Sequence, residues 1–330
     1  MQRSTGITLV FLIVVSLATI GFLGIRLGQD KQEAEQAEET GTAGNLEETA
    51  GESGVKGSSF NPPSMDELPD GPMGNAIQRG HDLINMTSSE LRKEASSAEE
   101  GEQKVNGLSC ASCHAGAGLE ESSMSLVGST ISYPQYNERA DAVMTIEDRI
   151  NGCMVRSMDG EEFEAGDADL EAIVAYMSYI SEGIPERSEL DWKDPVAMED
   201  VPVPDADAGE QLFQQACIAC HAVDGSGTGE ISGPALWGDE SFNDGAGLSR
   251  HDKMAGFIHD FMPKTDPGSL TEQDASDLAA FLLMQERPEF DGHRDDWPKG
   301  GRPNDLIDKE KREQLKNGDI TWEEIVTKDK

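Results

Sequence analysis

Four of the five cysteines in this 330-residue chain fall into two copies of one pentapeptide, Cys110-Ala-Ser-Cys113-His114 and Cys217-Ile-Ala-Cys220-His221. Cys-x-x-Cys-His is the pattern of covalent haem c attachment. Two thiols at that spacing form thioethers with the two vinyl groups of one porphyrin, and the histidine that follows lies beneath the iron as its proximal ligand. A zinc site would need two further thiolates or imidazoles per pair, and a thioredoxin-like redox pair would need a βαβ context that is missing. The expectation is therefore two haem c groups. Cys110, Cys113, Cys217 and Cys220 attach them, and His114 and His221 ligate their irons.

A haem iron also needs a sixth ligand or a vacancy. In the second half the candidate is Met262 of FIHDFMPKTD, on a loop between a helical pattern at 254–261 and a helix start at Leu270-Thr-Glu-Gln. Lys253, Met254, His251, His259 and Lys264 are weaker candidates nearby. Met262 lies 41 positions after His221 (262 − 221), and the same distance after His114 lands near Cys153, at 39 (153 − 114). Met154 and Met158 share that window, so a second His/Met iron is one reading of the first half. Two considerations favour the cysteine. Exported proteins seldom keep an unpaired thiol without a use, and nearby cations, here Arg139, Arg149 and Arg156, suit a thiolate ligand. A small buried apolar cysteine is the bland alternative.

The elements that must carry these residues recur in both halves. Gly101-Glu-Gln precedes the first motif as Gly209-Glu-Gln precedes the second; Ser125-Leu-Val-Gly128 matches Ala235-Leu-Trp-Gly238; and the helical pattern Asp169–Tyr176 matches Asp277–Met284. Haem helix, loop and terminal helix follow in the order of a class I cytochrome c. The predicted fold is all-α, with two tandem class I cytochrome c domains behind an N-terminal membrane anchor. The expected boundaries are an anchor or signal peptide at 1–27, an acidic linker at 28–60, a first domain at 61–187, a Pro-rich join at 188–204, a second domain at 205–288 and a surface-wrapping tail at 289–330. Residues 6–25 are twenty without a charge, enough to span a bilayer core. That run predicts an extracytoplasmic protein held at the inner membrane. With 64 acidic and 26 basic side chains the formal charge is −38, which excludes a nucleic-acid partner. So acidic a surface repels itself unless salt screens it.

The stretches YPQYNERADAVMTIEDRINGCMVRSMDG at 133–160, LSCASCHAGAG at 108–118 and DWPKGGRPND at 296–305 together resemble the dihaem thiosulfate dehydrogenases, which form tetrathionate. That resemblance implies that Cys153 ligates the first iron and takes part in the reaction, and that Arg139, Arg149 and Ser157 bind substrate with Arg156 beside them. It also implies that two thiosulfates are oxidised to tetrathionate, reversibly, with electrons passing from haem 1 to haem 2 and on to a c-type cytochrome or an oxidase. Some members place a lysine before the second-haem methionine as an alternative ligand, but here that position is Phe261. Two other readings stand beside this one: a non-catalytic dihaem electron carrier, and a Sox-type sulfur-oxidising cytochrome that works on a carrier protein.

Overall fold

The structure is a computed structural model that describes residues 59–95, 105–193 and 196–327. The apolar run at 6–25, all but the end of the acidic linker, and Gly101-Glu-Gln lie outside these residues. Among the described residues no helix is long and apolar enough to cross a membrane.

The first half is built on α1 (Pro72–Asn85), α2 (Thr87–Ala95), the one-turn α3 (Cys110–Cys113), α4 (Ile146–Arg156) and α5 (Ala168–Tyr179). A short antiparallel hairpin, β1 (Gln135–Asn137) with β2 (Ala142–Met144), leads into α4. Helix α1 starts on Pro72, whose missing N–H costs nothing in the first turn. It buries Ile77, Gly80, Leu83 and Ile84, a face recurring at helical spacing, against α5. The second half repeats the arrangement with α6 (Ala206–Ala216), α7 (Ile218–His221), α8 (His251–Phe261) and α9 (Glu272–Leu283). Asp205 caps α6, its side chain accepting from the Asp207 and Ala208 backbone N–H groups.

Each pair of crossing helices depends on one glycine at the point of closest approach. A Cβ on Gly80 would lie 2.0 Å from the Ala172 carbonyl oxygen, and one on Gly209 would lie 2.0 Å from that of Asp277. The helix correspondence therefore differs from the sequence repeat. Gly80, on α1, plays the part of Gly209, and Ala172 rather than Asp169 is the counterpart of Asp277. Close packing between helices selects glycine where the partner's backbone passes, whatever the neighbouring residues resemble. Gly80→Ala and Gly209→Ala are each expected to lower stability by about 1–3 kcal/mol, the usual cost of overpacking. Urea unfolding of the holoprotein would measure this, and an unchanged midpoint would refute the close approach.

The join is seated on both halves. Trp192 donates its indole N–H to Val127 O at 2.9 Å and meets Phe60 edge-to-face at 5.3 Å, while Met198 N donates to Asp252 O at 3.0 Å. Beyond Arg287 the chain wraps the surface and adds two helices, α10 (Lys309–Asn317) and α11 (Trp322–Thr327). They are held by core burial of Ile307 and Ile325, and by the buried Arg312, whose Nε donates to Leu283 O at 3.2 Å.

Candidate active site

Both motif histidines are oriented for a metal. Nδ1 of His114 lies 2.6 Å from Met124 O, and Nδ1 of His221 lies 2.8 Å from Pro234 O. A backbone carbonyl only accepts, so each Nδ1 carries the proton and each Nε2 keeps its lone pair. Burial lowers the pKa of both rings, that of His114 to about 4, which keeps them neutral as metal ligands must be. The two carbonyls belong to the residues just before Ser125 and Ala235, so this part of the repeat has one structural role in both halves. None of the four motif cysteines is committed to a disulfide. The donor sets fit a covalently attached haem at each motif.

Helix α4 carries the fifth cysteine. A capping box starts it: Thr145 Oγ1 accepts from Asp148 N at 3.3 Å, and Asp148 Oδ2 accepts from Thr145 N at 2.8 Å. Helical spacing then sets Arg149, Cys153, Arg156 and Ser157 along one face. Arg149 Nη1 donates to the Cys153 sulfur at 3.3 Å. The charge interaction with Cys153 is also the first cause of the raised Arg149 pKa, with the Tyr133 hydroxyl adding a hydrogen bond. Burial pushes the Cys110 thiol up to about 11 and the Cys113 thiol up to about 12, and charge on Cys153 pushes both further in that direction. Cys153 is thus the neighbour of the first attachment motif, and Arg149 is its cation.

The other two arginines are tied to a carboxylate. Asp296 of the C-terminal tail has a side chain only 4% exposed, and it accepts from Arg139 Nη2 at 2.6 Å and from Arg156 Nη2 at 3.0 Å. Arg139 also donates to Gly245 O at 2.8 Å and stacks on Trp297 with its guanidinium carbon 4.7 Å from the ring centre; Arg156 stacks on Phe290 at 4.6 Å. Burial and then Arg139 lower the Arg156 pKa, while Asp296 and Cys153 act the other way. Arg156 is therefore the group that joins the Arg139 cluster to the cysteine. The Nε atoms of Arg139 and Arg156 are buried without a hydrogen-bond partner.

The second half holds the end of α4 in place. Asn243 Nδ2 donates to Val155 O at 2.8 Å and Asn243 N to Arg156 O at 3.1 Å, while Asn106 Nδ2 bridges Ser157 O at 3.0 Å and Ser241 O at 2.8 Å. Ser157 N closes the helix onto Cys153 O at 2.8 Å, so this serine sits one turn beyond the cysteine. Met154 and Met158 are 3% and 2% exposed members of the apolar core. In the second half Met262 ends α8 and packs partly buried against that core. Of its rivals, His251 is fully buried with Nε2 3.1 Å from Ser276 O, Met254 is core, and His259 is paired with Asp260 at 2.7 Å. Lys253 is half-buried on α8, and Lys264 Nζ donates to Ile231 O at 3.4 Å.

Three residues at the site had no assigned role in the sequence reading: Tyr133, Asp296 and Gly245. Asp296 lies 140 positions beyond Arg156. The signal that could have drawn attention to it is its place at the start of DWPKGGRPND, a stretch too polar to be needed for the core.

The family described as SoxA/TsdA, cytochrome c domain, matches residues 97–185, and the cytochrome c family matches residues 206–286. A thiosulfate dehydrogenase from Psychrobacter arcticus is 34% identical over 271 residues, covering 81% of this chain and 79% of its own length. One from Allochromatium vinosum is 36% identical over 242 residues, covering 69% and 84%. Among solved structures, the thiosulfate dehydrogenase TsdBA from Marichromatium purpuratum, in its as-isolated form, superposes with a TM-score of 0.66 at 31% identity. That match covers 75% of this chain and 55% of the other, so this chain spans little more than half the length of that one.

Proposed function

The chain belongs to the thiosulfate dehydrogenase family and carries two haem c groups, and on that premise we propose that it oxidises two thiosulfates to tetrathionate at Cys153. Cys110, Cys113 and His114 would hold one haem, with Cys153 as the further ligand; Cys217, Cys220 and His221 would hold the other, with Met262. Haems held there would supply one-electron acceptors for the two electrons released by the reacting sulfur, with an external c-type cytochrome or oxidase as the final acceptor.

The observation that carries this reading is the cationic face built around one thiol, with Arg149 Nη1 at 3.3 Å from the Cys153 sulfur and Arg156 next along the helix. Thiosulfate is a dianion, and joining two of them brings like charges together on a chain of net charge −38. At an effective dielectric of 20, one unit pair at 4 Å is worth on the order of 4 kcal/mol. Forked guanidinium donors match sulfonate oxygens and offset that repulsion. In the first step the Cys153 thiolate bonds to the sulfane sulfur of one thiosulfate as two electrons leave, giving a Cys–S–S–SO3 adduct of charge −1. In the second, another thiosulfate attacks the sulfane sulfur of that adduct, tetrathionate departs, and the thiolate returns. Arg149 holds the sulfur anion before and after, and Ser157 and the arginines orient the sulfonate groups. We place the protein on the extracytoplasmic side of a membrane, on the support of the uncharged run at 6–25.

The test is a thiosulfate-dependent assay of the purified holoprotein with ferricyanide, in which each tetrathionate formed is matched by two ferricyanides reduced. Low-temperature EPR of the oxidised protein should show one low-spin thiolate-ligated signal beside one His/Met signal. Two His/Met signals and no thiosulfate-dependent reduction would leave only an electron carrier.

A further inference from the structure

A loop of the second half reaches across to the first attachment motif. It follows α7, turns back through an antiparallel bridge between Gly229 and Gly233, and returns at Pro234. Its base is seated on the second motif. Thr228 Oγ1 donates to Cys220 O at 2.7 Å, Gly227 N donates to His221 O at 3.0 Å, and Pro234 O is the acceptor of His221 Nδ1. A Cβ on Gly233 would stand 2.0 Å from Cys220 O, so the return strand fits only as glycine.

The tip of this loop is Glu230, and everything it binds belongs to the first half. Its Oε2 accepts from Ser109 Oγ at 2.5 Å and from Ser89 N at 3.3 Å, its Oε1 accepts from Ser89 Oγ, and its backbone oxygen accepts from Ser112 Oγ at 2.5 Å. Ser109 is the N-cap of α3 and Ser112 lies inside the Cys110-Ala-Ser-Cys113 turn. The neighbouring Ile231 O accepts from Lys264, two residues beyond Met262. Among the described residues the groups hydrogen-bonded to Glu230 are hydroxyl and backbone donors, none of them a cation. Such charge-assisted bonds are short and directional, so they fix the half-buried Glu230 carboxylate against the first motif.

We propose that Glu230 is a positioning residue for electron transfer between the two haems: it locks the first Cys-x-x-Cys-His turn onto the loop that rests on the second, so that the separation of the two attachment motifs does not fluctuate. The inference rests on the two haem sites and not on thiosulfate as substrate.

The experiment uses the full-length holoprotein and Glu230→Ala, with the double variant Ser109→Ala/Ser112→Ala as an independent break of the same contacts. Haem content and absorbance spectra are checked first. A photoreductant then delivers less than one electron per molecule, and redistribution between the haems is followed optically without thiosulfate. Redistribution is expected to slow about 10-fold, roughly the factor carried by one hydrogen bond to a charged group, and to become dependent on solvent viscosity, while reduction by the small external donor keeps its rate. A viscosity dependence marks motion of the two halves and would not arise from lost stability alone. Wild-type redistribution in both variants would overturn the proposal. So would slowing without any viscosity dependence. Should Glu230→Ala fail to load haem, the serine variant decides by the same criteria.

Discussion

Cys153→Ser is expected to abolish thiosulfate turnover, by on the order of 10³-fold or more, the scale on which enzymes lose rate when a covalent nucleophile is removed. Serine preserves the shape of the site and the last turn of α4, where Ser157 N still finds the residue-153 carbonyl at 2.8 Å. It cannot form the sulfur–sulfur bond on which the adduct depends. Nothing else in the described site can substitute, since Met154 and Met158 are enclosed in the core and have no thiol. Haem loading should be untouched, because the attachment thiols and His114 do not use Cys153 for their hydrogen bonds. Steady-state rates at matched haem absorbance are the measurement. Activity within a few-fold of the parent would remove Cys153 from the chemistry, whatever it does on the iron.

The second large effect concerns Asp296. Asp296→Ala removes the carboxylate shared by Arg139 and Arg156 and leaves two partly buried guanidiniums facing each other. Breaking a buried pair from one side costs roughly 3–5 kcal/mol, because the remaining charge stays desolvated and unpaired; with the arginines 20% and 24% exposed, the lower end, about 3 kcal/mol, is expected. The vacancy should take oxyanions, since each guanidinium also has an unpartnered Nε. Added sulfate or thiosulfate should therefore restore part of the lost thermal stability in Asp296→Ala, and much more than it stabilises the parent, as expected for a ligand bound only by the folded state. Thermal unfolding at several anion concentrations and constant ionic strength reads this directly. If chloride restored stability as well as sulfate, the arginines would be simple structural cations with no oxyanion geometry.

These expectations divide by how local their causes are. The face that joins Arg149, Cys153, Arg156 and Ser157 follows from four positions on one helix, and the helix from a Thr145/Asp148 capping box three residues apart. Short-range periodicity brings such groups together in any fold that keeps the helix. The same holds for the histidine acceptors, since Met124 and Pro234 precede matched segments of the repeat. The tail was expected only to cover surface. Its polar residues turned out to place Asp296 in the site and Asp305 at the start of α8, where Asp305 Oδ2 accepts from Asp252 N at 3.0 Å.

By itself, then, the sequence determined the attachment chemistry and the single helical face that carries Cys153 with Arg149, Arg156 and Ser157, because covalent spacing and the helical repeat act over a few residues and need no partner. Tertiary structure alone decided that Gly80 serves the first helix crossing, that Arg139 and Arg156 share the carboxylate of Asp296, and that Glu230 reaches from one half to the motif of the other. Those outcomes depend on which backbones pass within contact distance after loops of many tens of residues have closed. Loop closure cost rises only slowly with length, so the chain offers little local sign of which distant segment will arrive.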